Sequence, residues 1–240
     1  MTDALYGPDL ARVHIDGYNG HAEQAAPWIV ARLDALCSAL GPGLVVDLGC
    51  GGGPLLRHLV DGGHQALGVD ISPAMVAAAR ALVPEAEVRC ESLATVTLPR
   101  CLAVTAVGEP LNYLASPDEQ RAVFARVRDA LVPGGLFIFD LRLPAPAHES
   151  TRTVVTQGDD WMCIATISED PAAGALARDI VTFVRAGALW RRSDETHRVC
   201  VAHAGAVLGW LGEAGFDARV LPGYGDYITP LTVGVFEAQR

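Results

Sequence analysis

The chain contains no lysine: its 18 basic residues are all arginine, set against 28 acids and seven histidines. That absence excludes a lysine Schiff base, a pyridoxal-phosphate lysine and the lysine of a phosphate-binding loop. A net charge of −10 also argues against non-specific nucleic-acid binding, which needs a basic surface. Closely spaced cysteines are missing too. Cys37, Cys50, Cys90, Cys101, Cys163 and Cys200 form no C-x-x-C pair, so no zinc site, redox site or disulfide framework is expected. They read as small, reduced core residues. No run of 18 apolar residues occurs, so no membrane span is expected. Residues 1–20 lack the basic-then-apolar pattern of a signal peptide. Together these absences predict a cytoplasmic protein without nucleic-acid or membrane partners.

What is present is core material. Half of the 240 residues are apolar, enough for one large α/β domain or one domain with an insertion. Residues 22–40 carry Trp28, Ile29, Leu33, Leu36 and Leu40 at helical spacing, stopped by Gly41-Pro42-Gly43. Short apolar bursts then alternate with capped helices. Strands are expected at 44–47, 66–70, 86–90, 102–107 and 136–140. Helices are expected after Pro54, after Ser72-Pro73 and from Ser116 to about Leu131. This rhythm predicts a mostly parallel sheet with helices on both faces.

After Pro144 the pattern changes. TRTVVT, WMCIATIS, ARDIVTFVR and WRRSDETHRVCV are strand-like and separated by turn signals at 157–159, 171–174 and Gly187. They read as an inserted antiparallel sheet. Helical spacing returns at 204–214, and strands near 218–221 and 232–238 complete the main sheet. The expected division is 1–146 for the N-terminal helices and core, 147–199 for the inserted sheet, and 200–240 for the rest of the core.

The most specific motif is VVDLGCGGGP, residues 45–54. A strand ends in Asp47, and Gly49, Gly51 and Gly53 precede a helix, so backbone N–H groups can approach a ligand closely. A dinucleotide loop wants G-x-G-x-x-G, whereas here the third glycine position is Pro54. With Asp70 in GVDISPAM and Pro133-Gly134-Gly135 before the fifth strand, the chain resembles the class I S-adenosylmethionine-dependent methyltransferases. The resemblance implies a Rossmann-like, seven-stranded, mostly parallel sheet with a small antiparallel lid, as in a bacterial subgroup acting on small molecules. It implies that Asp70 accepts from the ribose hydroxyls, with Ile71 beside it. Gly49, Cys50, Gly51 and Gly53 line the amino-acid and ribose part, and Asp47 orients the loop and the ammonium. Ser92 and Leu93 flank the adenine, with Glu91 the alternative acid, and Gly108 lies near the transferred methyl group.

On the acceptor side, the resemblance places Glu109 near the reactive centre, with Asn112 and Tyr113 behind it. Glu109 has two readings: substrate orienter or base, and cap of the following helix. Strand period two puts Glu195 and His197 on one face. There His197 is a candidate base, or the two form a structural pair tying the insertion to the core. Trp190 is a candidate lid residue. His14, Tyr18 and His21 share a helical face, and Tyr18 is expected to touch cofactor or substrate. No acid or cysteine completes a metal site there. Methyl transfer by direct displacement relies mainly on positioning and exclusion of water. The rival readings are a nicotinamide-dependent oxidoreductase and a non-catalytic S-adenosylmethionine-binding protein.

Overall fold

In this computed structural model, residues 5–145, 151–170 and 172–240 are described. The expected boundary at 146/147, His148, and Pro171 of the second turn signal lie outside the described residues. Two helices lead the chain, α1 (Pro8–Gly17) and α2 (Gly20–Leu40). The alternating core follows: β1 (Val45–Leu48), α3 (Pro54–Asp61), β2 (Ala66–Asp70), α4 (Pro73–Leu82), β3 (Glu87–Cys90), β4 (Cys101–Ala106), α5 (Pro117–Ala130) and β5 (Leu131–Arg142). After β5 come β6 (Thr151–Gln157), β7 (Trp161–Asp170), β8 (Ala175–Ala186) and β9 (Leu189–Cys200). The chain ends with α6 (Ala204–Glu213), β10 (Asp217–Leu221), β11 (Gly223–Tyr224), β12 (Tyr227–Ile228) and β13 (Val233–Gln239).

The main sheet has seven strands in the order β10-β13-β5-β4-β1-β2-β3. β1 to β5 pair in parallel, while β13 runs antiparallel to both β5 and β10. All four residues of β1 are buried at the sheet centre, which explains the unbroken apolar burst before Asp47. One face packs beneath α5 and α6 around Phe124, Phe137, Phe139 and Phe236. The other packs beneath α2, α3 and α4 around Ile29, Leu33, Leu56 and Leu59. The helix starts obey local chemistry. Ser72 Oγ accepts from Met75 N–H at 3.3 Å and Ser116 Oγ from Glu119 N–H at 3.3 Å, each an N-cap ahead of proline.

Two expectations shift at their edges. β4 stops at Ala106 rather than Val107, and β5 begins at Leu131, running through Pro133-Gly134-Gly135 instead of starting after them. The irregularity is absorbed by a register shift opposite Cys101 and Ala103. The β11–β12 hairpin has no counterpart in the strands expected from the sequence.

β6 to β9 form a separate four-stranded antiparallel sheet. Its inward face carries Trp161, Cys163, Ile180 and Val184, which pack against Leu10 and Val13 of α1. Leu176 and Val199 meet Tyr113, in the short 3-10 turn Pro110–Tyr113 that follows β4. A cavity lies where this sheet and α1 face the C-terminal ends of the parallel strands, the edge at which open α/β sheets bind ligands.

Candidate active site

The floor of the cavity is the loop after β1. The Gly49 and Cys50 N–H groups both donate to Val69 O, at 2.7 and 3.0 Å, folding the loop back onto β2. Gly49 has φ +69, and a Cβ there would stand 2.2 Å from Pro110 Cβ. Gly51 has φ +55, lines the cavity, and would direct a Cβ into open space. Its N–H donates to Asp70 Oδ2 at 3.0 Å, while Ser72 N–H donates to Oδ1 at 2.8 Å. Burial raises the Asp70 carboxyl above its usual range. A carboxylate has about four acceptor sites, so the two internal donors leave Asp70 capacity toward the cavity it lines.

Two further strand ends supply carboxylates. Asp47, at 2% exposure, accepts from the Thr105 hydroxyl at 2.8 Å. Burial pushes its carboxyl up to about 7, opposed by that hydrogen bond and reinforced by the charge of Asp70. No cation stands within 4 Å of it among the described residues. Asp140, near the end of β5, is fully buried and heavily bonded. Gly108 N–H at 2.9 Å and Glu109 N–H at 2.6 Å donate to its Oδ1, and the Tyr224 hydroxyl donates to Oδ2 at 2.8 Å. His21 Nε2 lies 2.8 Å from the same Oδ2, and His21 Nδ1 lies 2.8 Å from the Tyr227 hydroxyl. Burial works against protonation of His21, but the hydrogen bond and charge of Asp140 outweigh it and raise its pKa.

The opposite wall comes from α1, the segment before it and the four-stranded sheet. The cavity encloses about 600 Å³ and includes Val154, Ala165, Ile167 and Ile180 from the sheet. Arg178 of β8 crosses to Glu109, with Nη2 at 2.5 Å from Oε2. Burial disfavours its charge, yet the Glu109 carboxylate keeps the guanidinium firmly protonated. Tyr6 shares a 3.2 Å hydrogen bond with the Tyr113 hydroxyl, which lies 3.1 Å from His197 Nδ1. His197 Nε2 is 2.9 Å from Glu195 Oε2, and the Glu195 carboxylate accepts from Tyr6 and Gly7 N–H at 2.9 and 3.0 Å. Burial lowers His14 to about 4, with the Arg178 charge adding to it, so His14 is neutral near pH 7. Its Nδ1 is buried without a partner among the described residues.

The family comparison agrees with this geometry. A family model described as a methyltransferase domain matches residues 45–135. A putative methyltransferase of Geobacillus sp. (strain WCH70) is 30% identical over 186 residues, covering 72% of this chain and 73% of the relative. The chain belongs to the class I S-adenosylmethionine-dependent methyltransferases. A trans-aconitate 2-methyltransferase of Methylobacterium radiotolerans is 30% identical over 200 residues, 77% of this chain and 73% of that protein. Among solved structures, an S-adenosylmethionine-dependent methyltransferase from Clostridium acetobutylicum ATCC 824 superposes with a TM-score of 0.80 at 17% identity. That match covers 95% of this chain and 96% of the other.

The residues fit this cosubstrate. S-adenosylmethionine carries an ammonium, a sulfonium and a ribose with two hydroxyls. The methyltransferase offers it the uncompensated Asp47 carboxylate, acceptor capacity on Asp70, and a glycine at 51 where a Cβ would occupy cavity space.

The structure sorts the residues singled out from sequence. Asp47, Gly49, Cys50, Gly51, Asp70, Ile71, Ser92, Leu93, Gly108, Glu109, Tyr18 and Tyr113 all line the cavity. Gly53 does not; it is the left-handed N-cap of α3, and a Cβ there would meet Ala79 at 3.3 Å. Asn112 is also outside the lining. Its amide donates to Arg142 O and Cys200 O and accepts from Arg142 N–H, binding β5 to the end of β9. His197, at 1% exposure, and Glu195 do share a strand face and do pair. That face also carries the cavity-lining Arg178 and Ile180, but Tyr6 and Tyr113 cover the pair there, so neither side chain lines the cavity. Trp190 is corrected outright. It is 46% exposed, lies outside the lining, and stacks under Arg185 at 4.8 Å.

Sequence reasoning missed Tyr6, Arg178 and the Asp140–His21 pair. Asp140 had a readable signal, since it stands near the end of a buried parallel strand as Asp47 and Asp70 do. Arg178 and Tyr6 had none, because only the packing of β8 and the N-terminal segment brings them to the site.

Proposed function

We propose that this methyltransferase acts on a small-molecule acceptor, bound between the strand-end carboxylates and the four-stranded sheet as its cover. The observation that carries this reading is the single continuous cavity of about 600 Å³ shared by the glycine loop and the sheet. Its size lies in the range of small-molecule sites. The trans-aconitate methyltransferase relative acts, by its name, on a small molecule.

S-adenosylmethionine supplies an electrophilic methyl group on a sulfonium. The chain's own residues do the rest. Asp70 accepts from the ribose hydroxyls, Asp47 faces the ammonium through the loop, and Ser92 and Leu93 flank the adenine. Asp140 anchors the Gly108 and Glu109 backbone N–H groups, fixing the strand end against which the acceptor lies. His21 holds rather than exchanges a proton, because both ring nitrogens are engaged. Glu109 is likewise committed to Arg178. The neutral His14 lines the cavity and can hydrogen-bond an acceptor there. Tyr18, stacked on His14 at 5.6 Å, closes that side. Catalysis then rests on alignment and exclusion of water.

A small-molecule role fits the net charge of −10, which opposes polyanionic partners. Six free cysteines fit a reducing, cytoplasmic setting. No helix among the described residues is long and apolar enough to cross a membrane. Calorimetry with S-adenosylhomocysteine tests the site: one saturable site is expected, and no binding would overturn the reading. Production of S-adenosylhomocysteine with a small acceptor separates it from a non-catalytic binding protein.

A further inference from the structure

A second chamber of about 250 Å³ adjoins the cavity, sharing Glu109, Ile167, Arg178, Pro230 and Val233 in its walls. Three guanidinium groups line this chamber: Arg142 from β5, Arg152 from β6 and Arg178 from β8. The inserted sheet sets two of them by register. Arg152 pairs with Ile167, and Ile167 pairs with Arg178, so one cross-strand row places both arginines on the same face with an apolar residue between them. Arg142 comes from the main sheet.

Among the described residues, the charges in this chamber do not cancel. Glu109 binds Arg178, and Glu169 Oε2 stands 3.5 Å from Arg142 Nη2. Arg152 has no carboxylate within 4 Å among the described residues. Arg142 is 95% buried by its 5% exposure, yet its Nε finds no hydrogen-bond partner among the described residues. A buried cation left short of partners is costly, and burial lowers the Arg142 pKa accordingly. Guanidinium forks match the paired oxygens of carboxylates and phosphates. Resting on the methyltransferase reading, we propose that this chamber is an oxyanion subsite. Arg142, Arg152 and Arg178 hold a carboxylate or phosphate of the acceptor, while its nucleophilic end lies in the main cavity.

The test uses the full chain. S-adenosylhomocysteine is titrated first, then inorganic phosphate and malonate separately into the saturated protein, with neutral malonamide as the blank. Saturable binding of at least one anion is expected, and the tighter one tells phosphate from carboxylate chemistry. Arg152→Gln, at an exposed position, should weaken that binding at least tenfold, and Arg152→Glu should abolish it. Arg185→Gln removes the same charge from an exposed site outside the chamber and should change nothing. If neither anion binds saturably, or Arg185→Gln weakens binding as much, the subsite is overturned. If S-adenosylhomocysteine itself fails to bind, the cofactor reading falls instead.

Discussion

The two walls of the cavity are built by opposite means. The main sheet contributes carboxylates near its C-terminal strand ends, Asp47, Asp70 and Asp140, each fixed by hydrogen bonds from neighbouring backbone or side chains. The inserted sheet contributes an apolar surface of Val154, Ala165, Ile167 and Ile180, broken by the cation Arg178. Charge is divided in the same way: residues 1–150 hold 17 acids and ten arginines, whereas 151–200 hold seven and six. The acidic wall suits a cationic sulfonium, and the nearly balanced wall admits an anionic acceptor. One wall is determined by backbone geometry at a glycine loop, the other by cross-strand register.

That contrast can be broken most forcefully at Gly49. Gly49→Ala places a Cβ into Pro110 at a left-handed φ and should cost about 3 kcal/mol of stability. A melting temperature close to wild type would show that the loop is not held as described.

Asp47→Asn sharpens the electrostatic side. A buried carboxyl raised to about 7 binds its proton more tightly folded than unfolded. The wild type therefore loses stability as pH rises from about 4 to about 7, and carries that deficit above it. The variant should be more stable by about 2 kcal/mol at pH 8, with little difference at pH 4, while binding S-adenosylhomocysteine more weakly. Thermal melts at both pH values check this, and a pH-independent difference would refute the assignment.

Asp70→Ala should lose at least tenfold in affinity for S-adenosylhomocysteine, about 1.4 kcal/mol, and unchanged calorimetric affinity would remove its role. The smallest effect belongs to the cover. Trp190→Ala, outside the cavity, should leave that affinity within about twofold and stability within about 0.5 kcal/mol. A larger loss of affinity would bring Trp190 back into the site.

The sequence carried most of the cofactor wall. Its glycine spacing, Asp47, Asp70 and the Pro133-Gly134-Gly135 turn are local features, each readable because a tight turn or a strand end constrains residues a few positions apart. The four strands of the insertion were legible for the same reason, from alternation and turn residues. Asp140 was visible as a strand end, but its partners His21 and Tyr224, and the Tyr227 hydroxyl that holds His21, come from the opposite ends of the chain.

Strand alternation determined that Glu195 and His197 share a face. It did not say that Tyr6 and Tyr113 would cover both side chains on the very face that carries the cavity-lining Ile167, Arg178 and Ile180. The sequence by itself determined the succession of strands and helices, the loop and the acids that the loop presents, since short-range sterics and hydrogen bonding fix them. Tertiary structure alone decided that Tyr6, His14 and Arg178 meet in the cavity and that Arg142 and Arg152 line the chamber beside it. Their meeting depends on how two sheets and a helix pack, and that packing is set by burial of apolar area, which is non-directional and writes no local motif.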